Sequence, residues 1–261
     1  MRVTSSRFTA LAAAALILPA FSSGPTSTKY RIDQSLSQLV DATAAGGVKQ
    51  RIAFNTSSFV TVTLSDSAGG KVMRVLIDSL RGDSAVPIPK AVLDSAQGAE
   101  FHGFLQKSGK PSGLEPTTAS SAATQVQGLL SDFFPWIKAG IKLGDSWSDT
   151  TAKTNAAGTD SVTVRRISAY KAASSGTWNA RKAVRITEDF TSSVAGTQPT
   201  PNGPARIQGT GKGRASYYVG PDGRYLGGDW QQESSLAISG SFAPQPLPIV
   251  IVQKTKITAL R

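Results

Sequence analysis

This chain of 261 residues has no cysteine, one histidine and two methionines. Without cysteine there is no disulfide, no thiolate zinc site and no cysteine nucleophile, so the core must hold itself together unaided. A single histidine cannot build a histidine-rich metal centre. Long apolar runs are also missing. The longest, Phe8 to Ala20, is too short to cross a bilayer as a helix, which takes about 20 residues. Charge is sparse at 17% and lopsided, with 28 basic and 17 acidic side chains and a formal net charge of +11. No block of five or six Lys/Arg occurs, and no aromatic ladder alternates with the basic residues. Nucleic acid is therefore not expected as a partner, whereas anionic surfaces such as phospholipid headgroups or envelope polymers suit the balance.

What is present starts at the amino terminus. Arg2 and Arg7 flank an acid-free start, the apolar run follows, and Ala20-Phe21-Ser22 offers small residues at the positions a signal peptidase reads. Residues 1–22 are expected to be a signal peptide, cleaved after Ser22. The chain is thus expected to be exported, periplasmic or extracellular. With no cysteine to acylate, it is not expected to be lipid-anchored.

The remainder has the period-2 patterning of strands. In Lys49–Ser65, Val60, Val62 and Leu64 share one parity, opposite Thr61 and Thr63. Ala68-Gly69-Gly70 marks a hairpin. Lys71–Leu80 returns with Met73, Val75 and Ile77 on one face and Val72, Leu76 and Leu80 on the other. Pro87-Ile88-Pro89 opens a short helix, Glu100–Lys107 is a strand, Lys110–Pro116 a loop, and Thr117–Ser131 is helical. A second β region begins at Ser146, with strands over about 146–154, 161–171, 181–191, 207–219, 224–239 and 248–260. Gly220-Pro221-Asp222-Gly223 is a turn, and Ala195–Pro204 a surface loop. The expected fold is mainly β with a short helical insert (α+β): a large curled antiparallel sheet or half-barrel covered by one or two helices. Residues 23–261 are expected to form one β-rich domain. It has two similar halves, about 28–116 and 144–261, joined by a helical and aromatic segment, 117–143.

The motifs Tyr30-x-Ile32, Phe101-x-Gly103, Gly144-Asp145-x-Trp147 and the late Gly-Pro-Asp-Gly turn occur in this order behind the signal. The chain in this respect resembles an uncharacterised family of secreted bacterial β-rich proteins. In outline it is similar to the half-barrel lipoprotein carriers of the LolA and LppX type. That second resemblance is architectural and implies a sheet folded around an apolar cavity with helices as a lid. It carries no functional residue over, and the anchor cysteine of the LppX group is absent.

Motifs for chemistry are scarce. His102, the only possible triad histidine, sits in a strand as Phe101-His102-Gly103-Phe104, and no Gly-x-Ser-x-Gly elbow accompanies it. It is expected to be a half-buried strand residue with a local hydrogen bond. Gly209-Thr210-Gly211-Lys212-Gly213 fails the phosphate-loop spacing, with Arg206 and Gly213 at the wrong positions. Its glycines are expected to let a strand bend. Asp145, Ser146, Asp149 and Thr150 lack the rest of a calcium loop. Glu188-Asp189 is the only adjacent acid pair and is expected at a solvated strand end. No catalytic, cofactor-binding or metal-binding residue is assigned.

The densest apolar cluster is Phe133, Phe134, Trp136 and Ile137, expected to gate an apolar cavity. Val60, Val62, Met73, Val75, Ile77, Tyr217 and Trp230 are the expected lining. The resulting expectation is a non-enzymatic binder of a lipid or other apolar molecule. The alternative is a structural or adhesive envelope protein with a filled core, holding an anionic polymer on its basic face.

Overall fold

The computed structural model describes residues 24–130, 133–157, 160–200, 203–241 and 243–260. The expected signal peptide lies outside them. Strands β1 (Thr26–Asp41), β2 (Lys49–Ser67) and β3 (Gly70–Gly82) are followed by helix α1 (Lys90–Ser95), β4 (Glu100–Gln106), β5 (Glu115–Pro116) and helix α2 (Ser121–Gln127). Then come β6 (Ser146–Ala157), β7 (Asp160–Trp178), β8 (Arg181–Gln198), β9 (Ala205–Val219), β10 (Tyr225–Gly240) and β11 (Ala243–Ala259). All eleven strands join one antiparallel sheet in the order β5-β4-β3-β2-β1-β11-β10-β9-β8-β7-β6. The fold is the mainly β, curled open sheet with a small helical insert that the patterning predicts.

This order has a geometric consequence. The two edge strands, β5 and β6, are consecutive in the chain, while β1 and β11 pair in the middle, as at Ile32 with Ile257. The segment between β5 and β6 must therefore travel from one edge to the other. It does so across the inner face as a strap. Ser120 caps α2 by accepting from the Ala123 amide at 3.0 Å. A 3₁₀ turn over Gly128–Leu130 follows, and Gln34 of the central strand donates to the Leu129 carbonyl at 3.0 Å.

Alternation places one continuous row along the inner face: Leu80, Ser58, Ile32, Ile257, Gly228, Tyr217, Ile186 and Ala172. Against such rows pack Leu93 and Ala96 from the α1 region, Ala123 and Val126 from α2, and Leu130 and Phe133 from the strap, all in one core. Each such side chain, fully buried, contributes about 1.5–3 kcal/mol for the larger ones.

Four expectations need correction. Leu80 lies inward with Met73, Val75 and Ile77, because Phe59 pairs with Ser79 but Val60 with Ile77. The bulge leaves Asp78 as the extra residue and flips the parity beyond it. Asp78 is held there by the Thr61 hydroxyl at 2.8 Å and Lys29 at 3.2 Å. Next, β8 runs through Gln198, so residues 195–198 belong to the strand, where they pair with β9, rather than to the expected loop. The third concerns β7, which continues to Trp178 and turns through Asn179 and Ala180, both at positive φ (49° and 61°), as a two-residue hairpin turn requires. Finally, Glu115–Pro116, expected as loop, forms the short edge strand β5.

Before it reaches β6, the strap passes against the turn after β4, close to the edge it started from. Gly109 is buried at φ +83°, and a Cβ there would lie 1.6 Å from the Ile137 carbonyl oxygen. Gly98 has the same φ with nothing within 4 Å. Gly98→Ala is expected to cost only the left-handed strain, about 1–2 kcal/mol. Gly109→Ala adds about 1–3 kcal/mol of overpacking by displacing the strap. Urea unfolding of both variants reads the difference, and equal losses would show that the strap is not docked there.

Candidate functional site

Where the strap leaves the core it roofs a cavity of about 850 Å³ at one end of the curled sheet. Its walls are Thr28 and Tyr30 of β1, Val62 and Leu64 of β2, Val184 of β8 and Val219 of β9; Phe134, Ile137 and Ile141 of the strap form the roof. The volume falls within the usual range of small-molecule sites, about 300–1,000 Å³. An aromatic cluster forms the floor. Tyr30 meets Phe133 edge-on at 5.2 Å, Phe134 packs on Tyr225 at 5.2 Å, and the Tyr30 hydroxyl donates to the Tyr225 carbonyl at 2.8 Å. Burial pushes the phenols of Tyr30 and Tyr225 well above the ordinary tyrosine range, so both stay neutral. The Tyr225 hydroxyl is buried without a hydrogen-bond partner among the described residues.

The expected gate residues divide by role. Phe134 and Ile137 line the cavity, while Phe133 is buried beneath it in the core. Trp136 anchors the strap instead: its Nε1 donates to the Ser108 carbonyl at 3.2 Å, and the Lys110 ammonium sits 5.2 Å from its ring centre. Lys110 also pairs with Asp149 of β6 at 2.6 Å, tying the two sheet edges together where they approach. Of the expected lining, Val62 faces the cavity. Val60, Met73, Val75, Ile77 and Tyr217 lie in the packed core, and Trp230 is buried beside Thr255 and Ala215 in another row. The walls from Thr28, Leu64, Val184, Val219 and Ile141 were not singled out from sequence. Thr28 shares parity with Tyr30, and that was the available signal.

A second polar feature lies inside the sheet. Glu188 of β8, expected at a solvated strand end, is fully buried at mid-strand, while its neighbour Asp189 points outward to Arg214 at 3.1 Å. Period 2 sends adjacent side chains to opposite faces, so the two carboxylates cannot act as a pair. Arg166 reaches Glu188 Oε1 at 2.9 Å, the Tyr217 hydroxyl donates to Oε2 at 2.6 Å, and the Arg166 guanidinium stacks 3.6 Å from the Phe190 ring centre. Burial, then the Glu188 charge, holds the Tyr170 and Tyr217 phenols above their ordinary range. The cluster crosslinks β7, β8 and β9, and Arg166 Nε also donates to the buried Ser168 hydroxyl at 3.2 Å.

Other sequence motifs resolve structurally. His102 is exposed on the outer face of β4 rather than half-buried, since alternation sends Phe101 into the core and His102 outward, opposite Arg74. Gly211 and Gly213 lie in β9, where a Cβ would strike the Ser192 and Ser234 hydroxyls at 2.6 Å and the Phe190 ring at 2.2 Å respectively. Side chains of neighbouring strands thus fold over them. Asp145 accepts from the Lys142 amide at 3.2 Å, which fixes the turn before β6. Trp147 stacks on Tyr170 at 5.3 Å. Among the described residues no group of three or more His, Asp and Glu could hold a metal ion.

The outer face carries an open polar trough of about 1,070 Å³. Arg81, Lys254 and Lys256 line it and make no ion pair among the described residues. Asp33, Asp83, Asp189 and Asp229 also line it; partial burial pushes the Asp229 carboxyl up, opposed by Arg185 and Lys256. In comparisons with known proteins, no family model and no curated protein matches this chain.

Removing Arg166 alone strands the buried Glu188 carboxylate. Arg166→Leu is expected to cost about 3–5 kcal/mol, and the double variant Arg166→Leu/Glu188→Leu to recover most of it, because an apolar pair can replace a buried ion pair. Denaturant midpoints of the single and double variants test this, and a double variant no more stable than the single one would count against it.

Proposed function

We propose that this chain is an exported, non-enzymatic protein that holds a lipid or other apolar molecule in the cavity between its curled sheet and the strap over residues 133–141. The observation that carries this reading is the cavity itself, about 850 Å³, with apolar walls from four strands and an apolar roof from Phe134, Ile137 and Ile141. A filled interior has no use for such a volume, since unfilled apolar space forfeits dispersion contacts. Export is supported by the basic start and apolar run ahead of Ser22.

The outer trough favours a second reading, a protein that holds an anionic envelope polymer on Arg81, Lys254 and Lys256. Such binding would weaken steeply with salt; binding of a neutral apolar ligand in the cavity would change little.

Thr28 is half-buried on the cavity wall, and a larger side chain there projects into the space. Thr28→Trp is expected to weaken binding of a fluorescent fatty acid by about tenfold or more while the thermal midpoint stays near that of the parent. Titration of the two proteins checks it. Unchanged affinity in the folded variant would place the apolar ligand elsewhere, and no binding to either protein would favour the filled envelope protein.

A further inference from the structure

Charge collects where the cavity opens. Lys71 of β3, Lys107 after β4, Lys138 and Lys142 of the strap and Arg224 of the β9–β10 turn all line it, against Asp66 as the one lining carboxylate among the described residues. These five cations come from four separate parts of the chain, and the fold brings them to the same rim. Three have neighbouring acids: Lys71 with Asp66 at 2.5 Å, Lys138 with Asp145 at 3.4 Å and Arg224 with Asp222 at 3.7 Å. Those pairs are largely exposed and individually weak. Lys107 and Lys142 make no ion pair among the described residues, and both are exposed.

Behind this rim the walls are mainly apolar, and of the four buried polar groups without a partner among the described residues only the Tyr225 hydroxyl belongs to a residue of the lining. An apolar interior beneath a ring of excess positive charge sorts a ligand by its two ends. The hydrocarbon gains by leaving water, and an anionic head gains charge-assisted hydrogen bonds from ammonium groups that retain their own hydration. Resting on the cavity reading above, we infer that the occupant is a single-headed anionic amphiphile, its chain between Val62 and Phe134 and its carboxylate or phosphate at Lys107 and Lys142. A neutral head would gain no charge-assisted bond from these two ammonium groups.

Displacement of a fluorescent apolar probe from the full mature chain tests this with three competitors of the same chain length: oleate, oleoyl lysophosphatidic acid and monoolein. The two anionic competitors are expected to bind about tenfold more tightly than monoolein, with the advantage shrinking in high salt. The ranking of oleate against the lysophosphatidic acid distinguishes a carboxylate from a phosphate source. In Lys107→Gln/Lys142→Gln the anionic advantage is expected to fall to near unity with monoolein unchanged. Both positions are exposed, so the fold is expected to persist. Equal affinity of monoolein and the anions for the parent protein overturns the headgroup assignment and leaves the cavity reading standing. An anionic advantage that survives in the double variant overturns the assignment to these two lysines. Failure of all three to displace the probe removes the cavity reading and this inference with it.

Discussion

An eleven-stranded sheet has far more inner apolar surface than two helices of six and seven residues can hide. This shortage of cover is the constraint on which the rest of the molecule depends. The sheet answers it partly by curling, so that inner side chains such as Tyr30, Tyr217 and Ile186 share one core. The remainder falls to the strap, which is committed by the strand order to cross from edge to edge. Over the middle of the sheet it packs densely, with Phe133 against Tyr30. Toward its end, over Phe134, Ile137 and Ile141, the cavity lies between it and the sheet.

Closure at that end is polar rather than hydrogen-bonded sheet. Lys110 bridges Trp136 of the strap and Asp149 of β6, and the Ala139 amide donates to the Ser108 carbonyl at 3.1 Å. Contacts of this kind, partly exposed and few, open more readily than a strand ladder. The other side of the sheet is held differently. There the buried Glu188, bound by Arg166 and Tyr217, fixes the register of three long strands whose outer faces carry few apolar groups. A one-residue slip would send Glu188 to solvent and Asp189 into the core.

Much of the fold was legible as pattern. Alternation in β2, the glycine hairpin before β3 and the Gly-Pro-Asp-Gly turn all fall where the residues place them. The misses share a cause. The Asp78 bulge, the Asn179-Ala180 turn and the extension of β8 through Gln198 depend on which strand lies alongside, and local periodicity does not contain that. The candidate site was half legible for the same reason. The aromatic strap was conspicuous, and two of its four marked residues, Phe134 and Ile137, line the cavity. Parity alone could not separate Val62, at the cavity, from Val60 and Val75, deeper in the core.

By itself, the sequence determined the alternation along most strands, the glycine-marked turns before β3 and β10, and that no disulfide or histidine cluster takes part, because these follow from residue type and a period of two. Tertiary structure alone decided that β1 and β11 meet, that Glu188 turns inward onto Arg166, and that five cations from separate parts of the chain share one rim with an apolar space behind it. Each of those is a contact between residues far apart in the chain, set by the path the strap must take across the sheet.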